Sequence, residues 1–259
     1  MSDDPAASAA PGTPGGPLEG RIALITGASR GIGYHAAKAF AAAGAHVIAV
    51  ARTTGGLEEL DDEITAASGS TTLVPLDLTD YAGIDRLGGA IHERWGKLDI
   101  FFANAAILGP LSPLGHVPPK EWDQVIAVNV TANWRLIRSL DPLLRQSDAG
   151  RVIVMSSASA HKCRPFWGPY SVSKAGVEAL ARTYAEEIKK TPIRVVLVHP
   201  GLMRTAMRAQ AMPGEDPTSL THPAELAPHL IEMASSNFDK TGVLFDFLTK
   251  SFLEFQAPK

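Results

Sequence analysis

Residues 21–33 read RIALITGASRGIG, and this stretch decides the fold. The run RIALIT is apolar on both faces, as a strand covered by helices on both sides of a parallel sheet must be. Glycines follow at positions 27, 31 and 33, and a helical pattern starts at residue 32 and continues to residue 43. Glycine lets the chain turn tightly, and it lets a pyrophosphate approach the backbone and the N-terminus of the next helix.

Outward from this unit, short apolar runs alternate with helical periodicity. Further strands are expected at 46–51, 71–76, 99–103, 151–156, 193–199 and 243–247. Helices are expected at 57–67, 81–95, 120–144 and 172–190. This rhythm predicts a single α/β, doubly wound Rossmann domain over residues 18–259, a seven-stranded parallel sheet with helices on both faces. Residues 1–17, rich in Ala, Gly, Pro and Ser, are read as a disordered tail, because they cannot bury enough apolar surface to fold. Residues 202–222 break the rhythm with Met203, Met207, Met212 and a PGEDP run. A loop this long just after the sixth strand is expected to act as a substrate lid.

Composition narrows the function. The 259 residues carry a net charge of -3 and 45% hydrophobic side chains, which suffices for one substantial core. No basic stripe invites nucleic acid, and no apolar run approaches the roughly 18 residues of a membrane helix. One cysteine, Cys163, rules out an internal disulfide framework and suits a reducing, cytoplasmic compartment. The histidines show no pair at metal-ligand spacing with a supporting carboxylate, so no metal is expected.

The chemistry is carried by Tyr170 and Lys174, four residues apart on one helix face in YSVSK, and by Ser157 thirteen residues before the tyrosine. A free phenol has a pKa of about 10, and a neighbouring ammonium is expected to draw it toward the working range. Ser157 follows the strand RVIVMS, so it falls at the carboxyl end of the sheet, where it can hold a substrate oxygen. The second strand ends VIAVARTT, with Ala51 and Arg52 where an acid would bind the ribose 2′-hydroxyl of NAD. Arg52, together with Arg30 in the glycine turn, suits a 2′-phosphate, so NADP(H) is expected over NAD(H).

These motifs, in this order, resemble the short-chain dehydrogenase/reductase family over residues 18 to about 250. The resemblance implies an oxidoreductase interconverting a carbonyl and a secondary alcohol, with a small-molecule substrate. It implies a catalytic set of Asn129, Ser157, Tyr170 and Lys174, in which Asn129 supports a proton relay and Lys174 also holds the nicotinamide ribose. It implies cofactor contacts from Gly27, Ser29, Arg30, Gly31, Ile32, Gly33, Arg52, Asp77, Leu78, Asn104, Ala105, Tyr170, Lys174, Pro200, Gly201 and Thr205. Phe166, Trp167, Leu108, Leu111 and Met203 are expected, with Ser157, to line a pocket for an apolar or aromatic substrate. The family also implies a homodimer or homotetramer joined through helices 120–144 and 172–190. Two departures stand out: ANAA at 103–106 where the family has N-N-A-G, and TGVLFDFL near the C-terminus in place of V-D-G-G. The alternative, an NADP-binding sensor or scaffold without turnover, would be marked by a broken catalytic set, and this set is complete.

Overall fold

A computed structural model of the protein describes residues 15–256. The expected tail lies outside the described residues up to position 14. Residues 15–17 lead by turns into Leu18, which is fully buried and donates its backbone N–H to Ala43 O at 2.9 Å.

The strands are β1 (Ile22–Thr26), β2 (His46–Ala51), β3 (Ser70–Pro75), β4 (Ile100–Ala103), β5 (Arg151–Met155), β6 (Arg194–His199), β7 (Val243–Asp246) and β8 (Ser251–Glu254). The helices are α1 (Gly31–Ala42), α2 (Thr54–Ala66), α3 (Tyr81–Trp95), α4 (Pro119–Ile126), α5 (Ala132–Leu144), α6 (Ser159–Lys162), α7 (Gly168–Glu187), α8 (Ala206–Ala211) and α9 (Ala227–Ala234). The sheet order is β3-β2-β1-β4-β5-β6-β7-β8, so the order reverses between β1 and β4. Ligands of doubly wound sheets bind outside the carboxyl ends of the strands at such a reversal.

The sheet has eight strands, one more than expected from the sequence. The additional strand, β8, pairs antiparallel with β7 through a turn in which Asp246 Oδ1 accepts from Leu248 N at 3.0 Å. Strand β8 is four residues long and only half-covered, so it carries no periodic signal of its own. The expected helix at 120–144 is also interrupted. A π-helical turn, Ala127–Thr131, joins α4 to α5.

Alternation along each strand divides the apolar side chains between two layers. Ala23, Ile25, Val47, Phe102, Ile153 and Val198 pack under α1, α2 and α9. Their neighbours Leu24, Ile48, Phe101, Val152, Val154 and Leu197 pack under α3, α5 and α7. Phe101 and Phe102 are both fully buried, on opposite faces. Burial of each contributes about 1.5–3 kcal/mol. Both layers therefore brace the carboxyl ends of the strands, where the loops diverge.

Candidate active site

A cavity of about 910 Å³ opens at those strand ends. At one end, the turn after β1 leads into α1. The N-cap of α1, Arg30, makes no side-chain capping bond, and Ser29, Arg30, Gly31 and Ile32 line the cavity. The first-turn N–H groups of a helix need a partner, and here an anion in the cavity can supply it. Gly27 and Gly31 have φ of +69° and +58°, a conformation glycine adopts without strain.

Asn104 ties this turn to the loop after β4. Its Nδ2 donates to Thr26 O at 3.0 Å, and Thr26 Oγ1 accepts the backbone N–H groups of Asn104 and Ala105 at 3.0 and 3.1 Å. Asp77, after β3, accepts from Thr79 N and Thr79 Oγ1, both at 2.8 Å. The backbone bond from Thr79, above all, holds the Asp77 carboxyl below its usual range. Arg52 Nη1 stands 4.0 Å from Asp77 Oδ2, and both line the cavity with Leu78 and Ala105.

At the opposite end, Ser157, Tyr170 and Lys174 converge on the same space, and Pro200, Gly201, Met203 and Thr205 after β6 complete the wall, with Thr205 reaching back to Gly31 of the glycine turn. Pro169 sits in the first turn of α7, where its missing N–H is harmless, and puts Tyr170 at the start of the helix. Lys174, one turn later, is buried and donates to Met155 O at 2.7 Å.

The electrostatics differ from the sequence expectation. Burial pushes the Tyr170 phenol up to about 12, opposed by a hydrogen bond from Ser157. Lys174 does not draw the phenol down here. Its Nζ is directed at the Met155 carbonyl and stands 5.7 Å from the centroid of the tyrosine ring. Burial lowers the Lys174 ammonium itself to about 8, while the carboxylate of Glu178 on the next turn works to raise it. Glu178 is also buried. It accepts from Ser156 Oγ and pairs with His161 Nε2 at 3.0 Å.

Four expected site residues, Gly33, Asn129, Phe166 and Leu111, lie off the cavity wall. Gly33 packs behind the turn, inside α1. Asn129 lies buried in the π-helical turn, where its Oδ1 accepts from Ile107 N and its Nδ2 donates to Ile107 O and to Ser173 Oγ, each at 2.9 Å. Ser173 Oγ in turn donates to Tyr170 O at 2.8 Å. Asn129 thus fixes the loop after β4 against the first turn of α7. Its backbone carbonyl accepts from Asn133 Nδ2 at 2.7 Å.

Phe166 was expected in the pocket and points away from it. Its φ is +74° and it is 56% exposed, so the backbone turns the ring outward. Leu111 is likewise exposed. Trp167 and Leu108 do line the cavity. Trp167 meets the Tyr170 ring edge-on at 6.0 Å between centroids.

The segment at 202–222 is more regular than its sequence suggests. Thr205 caps α8 by accepting from Arg208 N at 3.2 Å, and Met203 and Thr221 form a parallel bridge at the base of the segment. Arg208 grips Glu215 through a two-pronged pair at 2.5 Å. Met207 and Ala211 pack with Leu108, Trp167 and Tyr170, so the inner face of α8 covers the tyrosine. The sequence reading missed Met207, Ala211, Glu121, Lys162 and Arg164, all of which line the cavity. The methionine spacing signalled Met207, whereas the others look like ordinary surface residues.

Among the described residues, no cluster of three or more His, Cys, Asp or Glu is placed to hold a metal ion. No described helix is long and apolar enough to cross a membrane.

Residues 21–216 match the family model for short chain dehydrogenases. The chain belongs to that family. It is 36% identical to the uncharacterized oxidoreductase YciK of Escherichia coli strain K12, over 88% of this chain and 92% of that one. A short chain dehydrogenase of Shigella flexneri 2a strain 301, solved in complex with NADP, superposes with a TM-score of 0.84 at 35% identity, covering 88% of this chain and 97% of that one. A third, from Escherichia coli CFT073 in complex with NADPH, gives 0.83 at 36% identity over 88% and 97% of the two chains. As a short-chain dehydrogenase the chain is an oxidoreductase with an NAD(P)-dependent Rossmann fold.

Proposed function

We propose that the protein reduces a carbonyl compound to a secondary alcohol, or runs the reverse reaction, with NADP(H) as the preferred cofactor. The observation that carries this reading is one cavity with the uncapped, glycine-rich start of α1 at one end and Tyr170, Ser157 and Lys174 at the other. The site fits a dinucleotide: first-turn amides without a capping side chain face a cavity large enough for a cofactor and a substrate. When bound, the nicotinamide supplies or accepts the hydride.

The residues of the chain do the rest. Tyr170, kept protonated by burial, gives its proton to the carbonyl oxygen during reduction. Ser157 donates a hydrogen bond to the same oxygen and stabilises the developing negative charge. Lys174 holds the ribose next to the tyrosine, and Asn129 positions the loop that closes this end of the site. The inner face of α8 excludes water from Tyr170. We place the protein in the cytoplasm and expect a homodimer or homotetramer. Trp134 on α5 and Val172 on α7 are exposed apolar side chains on the helices where subunits would meet.

The test is NADPH oxidation against ketones, aldehydes, quinones and 3-oxoacyl thioesters, with NADH as second cofactor. Turnover with Tyr170 intact supports the reading. Tight NADPH binding without turnover of any class favours a sensor. For cofactor choice, Arg30→Ala with Arg52→Ala should reduce the NADPH-to-NADH ratio of kcat/KM by about 10- to 100-fold, the worth of one or two hydrogen bonds to a charged group. An unchanged ratio would mean that neither arginine meets the 2′-phosphate.

The pH dependence follows from the two perturbed groups. Tyr170 stays protonated across the neutral range, whereas Lys174 loses its proton near pH 8. Reductive kcat/KM should therefore be flat below that point and fall as pH rises through it. Glu178→Gln removes the charge that props up the ammonium, so the falling limb should move to lower pH. A limb that stays in place in a pH–rate profile would separate Glu178 from Lys174.

A further inference from the structure

The end of α6 and the loop that follows it bring two cations to the Tyr170 end of the cavity, Lys162 and Arg164. The other cations there already have partners: Arg208 is forked onto Glu215, and Lys174 is bonded to Met155 O. Among the described residues, Lys162 and Arg164 make neither an ion pair nor a side-chain hydrogen bond. The loop is held in an uncommon shape. Cys163, between the two cations, has φ of +43°, and Phe166 has φ of +74°. A left-handed backbone at residues with a side chain is costly and persists only where the surroundings enforce it. Here Phe166 O accepts from Ser112 N at 3.1 Å, and Trp167 N donates to Arg164 O at 3.2 Å. The outcome is a stretch that turns the apolar Phe166 outward and leaves two exposed charged residues at the rim of the cavity. Among the described residues, the one carboxylate lining that end is Glu121, and it forms no ion pair with either cation.

The wall around the tyrosine is apolar, with Leu108, Trp167 and Met207 packed beside it. A neutral apolar substrate would use that wall and leave both cations facing the cavity without a counter-charge. We propose that the substrate is an amphipathic anion: a carbonyl on an apolar body, carrying a carboxylate or phosphate that Arg164 and Lys162 bind at the mouth of the cavity. The inference rests on the reductase reading and narrows its substrate class. Arg164 offers a planar fork matched to either oxyanion, and Lys162 adds a point charge.

The experiment uses an aryl methyl ketone, the same ketone with a para carboxylate, and the same ketone with a para phosphate. Each is assayed with NADPH against wild type, Lys162→Gln/Arg164→Gln and Arg164→Lys. The wild type should prefer at least one anionic ketone over the neutral parent about tenfold or more in kcat/KM. The double variant should collapse that ratio by about 10- to 100-fold, chiefly through KM. Arg164→Lys should keep part of the preference, and added salt should narrow it. The carboxylate and phosphate arms show which oxyanion fits. No preference in the wild type, or a preference unchanged in the double variant, overturns the proposal. If none of the ketones is reduced, calorimetry of the para-carboxylated and para-phosphorylated secondary alcohols with the NADP complex decides instead. Binding of either one that is lost in the double variant upholds the anion site while counting against the reductase reading. Equal binding to both proteins overturns the anion site.

Discussion

Tyr170→Phe should lower turnover by about 10²- to 10⁴-fold, the usual worth of a positioned acid or base, while leaving the Kd for NADPH within about threefold. The substitution removes one oxygen and nothing else. The ring keeps its place against Trp167, Leu108 and Ala211, so packing at the floor of the cavity is preserved. Ser157 loses a partner, but it is only partly buried and water can replace the phenol. Cofactor contacts proposed for the glycine turn, Arg30 and Arg52 lie at the other end of the cavity. Single-turnover kinetics beside NADPH titration would separate the two effects. Parallel loss of affinity and turnover would mean that Tyr170 shapes the site and does not act as its acid.

What the sequence made legible was whatever repeats or has a fixed spacing. The parallel strands are buried on both faces, so each shows as an apolar run, and β2 begins and ends where the sequence puts it. Tyr170, Lys174 and Ser157 could be found because a helix turn and a strand end place residues at set distances. Strand β8 had neither kind of signal, being short, at the sheet edge and half-exposed. The π-helical turn at Ala127–Thr131 was hidden because it inserts a residue without disturbing the apolar periodicity on either side. The direction of Phe166 was equally hidden. It depends on a positive φ at a bulky residue, and nothing in the local sequence announces one. Nothing in the local sequence sets Lys162 and Arg164 apart from other exposed charges, and only the fold shows that they border the cavity. Side-chain direction in irregular loops was the main loss, and it falls on the substrate side of the site.

Gly33→Ala should damage both folding and cofactor binding, although the sequence alone does not separate it from the other glycines of the turn. A β-carbon at Gly33 would lie 2.3 Å from Gly27 O and 2.6 Å from Asn104 Nδ2. Neither can yield cheaply. Gly27 O belongs to the backbone of the turn, and Asn104 Nδ2 is held by Thr26 O. Helix α1 must therefore back away from the turn, at a cost of about 1–3 kcal/mol typical of an overpacked interior. The same movement displaces the first-turn amides proposed to bind the pyrophosphate, so NADPH affinity should fall about tenfold or more. Gly31→Ala provides the contrast. The nearest atom to its β-carbon would be Thr205 Cγ2 at 3.4 Å, so the added methyl finds room. Its φ of +58° makes alanine strained, and the methyl would project toward the cavity wall. Gly31→Ala should thus weaken NADPH binding in a protein whose Tm drops less than that of Gly33→Ala. Thermal unfolding with and without NADPH measures both quantities on each variant. If Gly33→Ala unfolds like the wild type and gains the same Tm increment from NADPH, close packing at that glycine does not hold the amides in place.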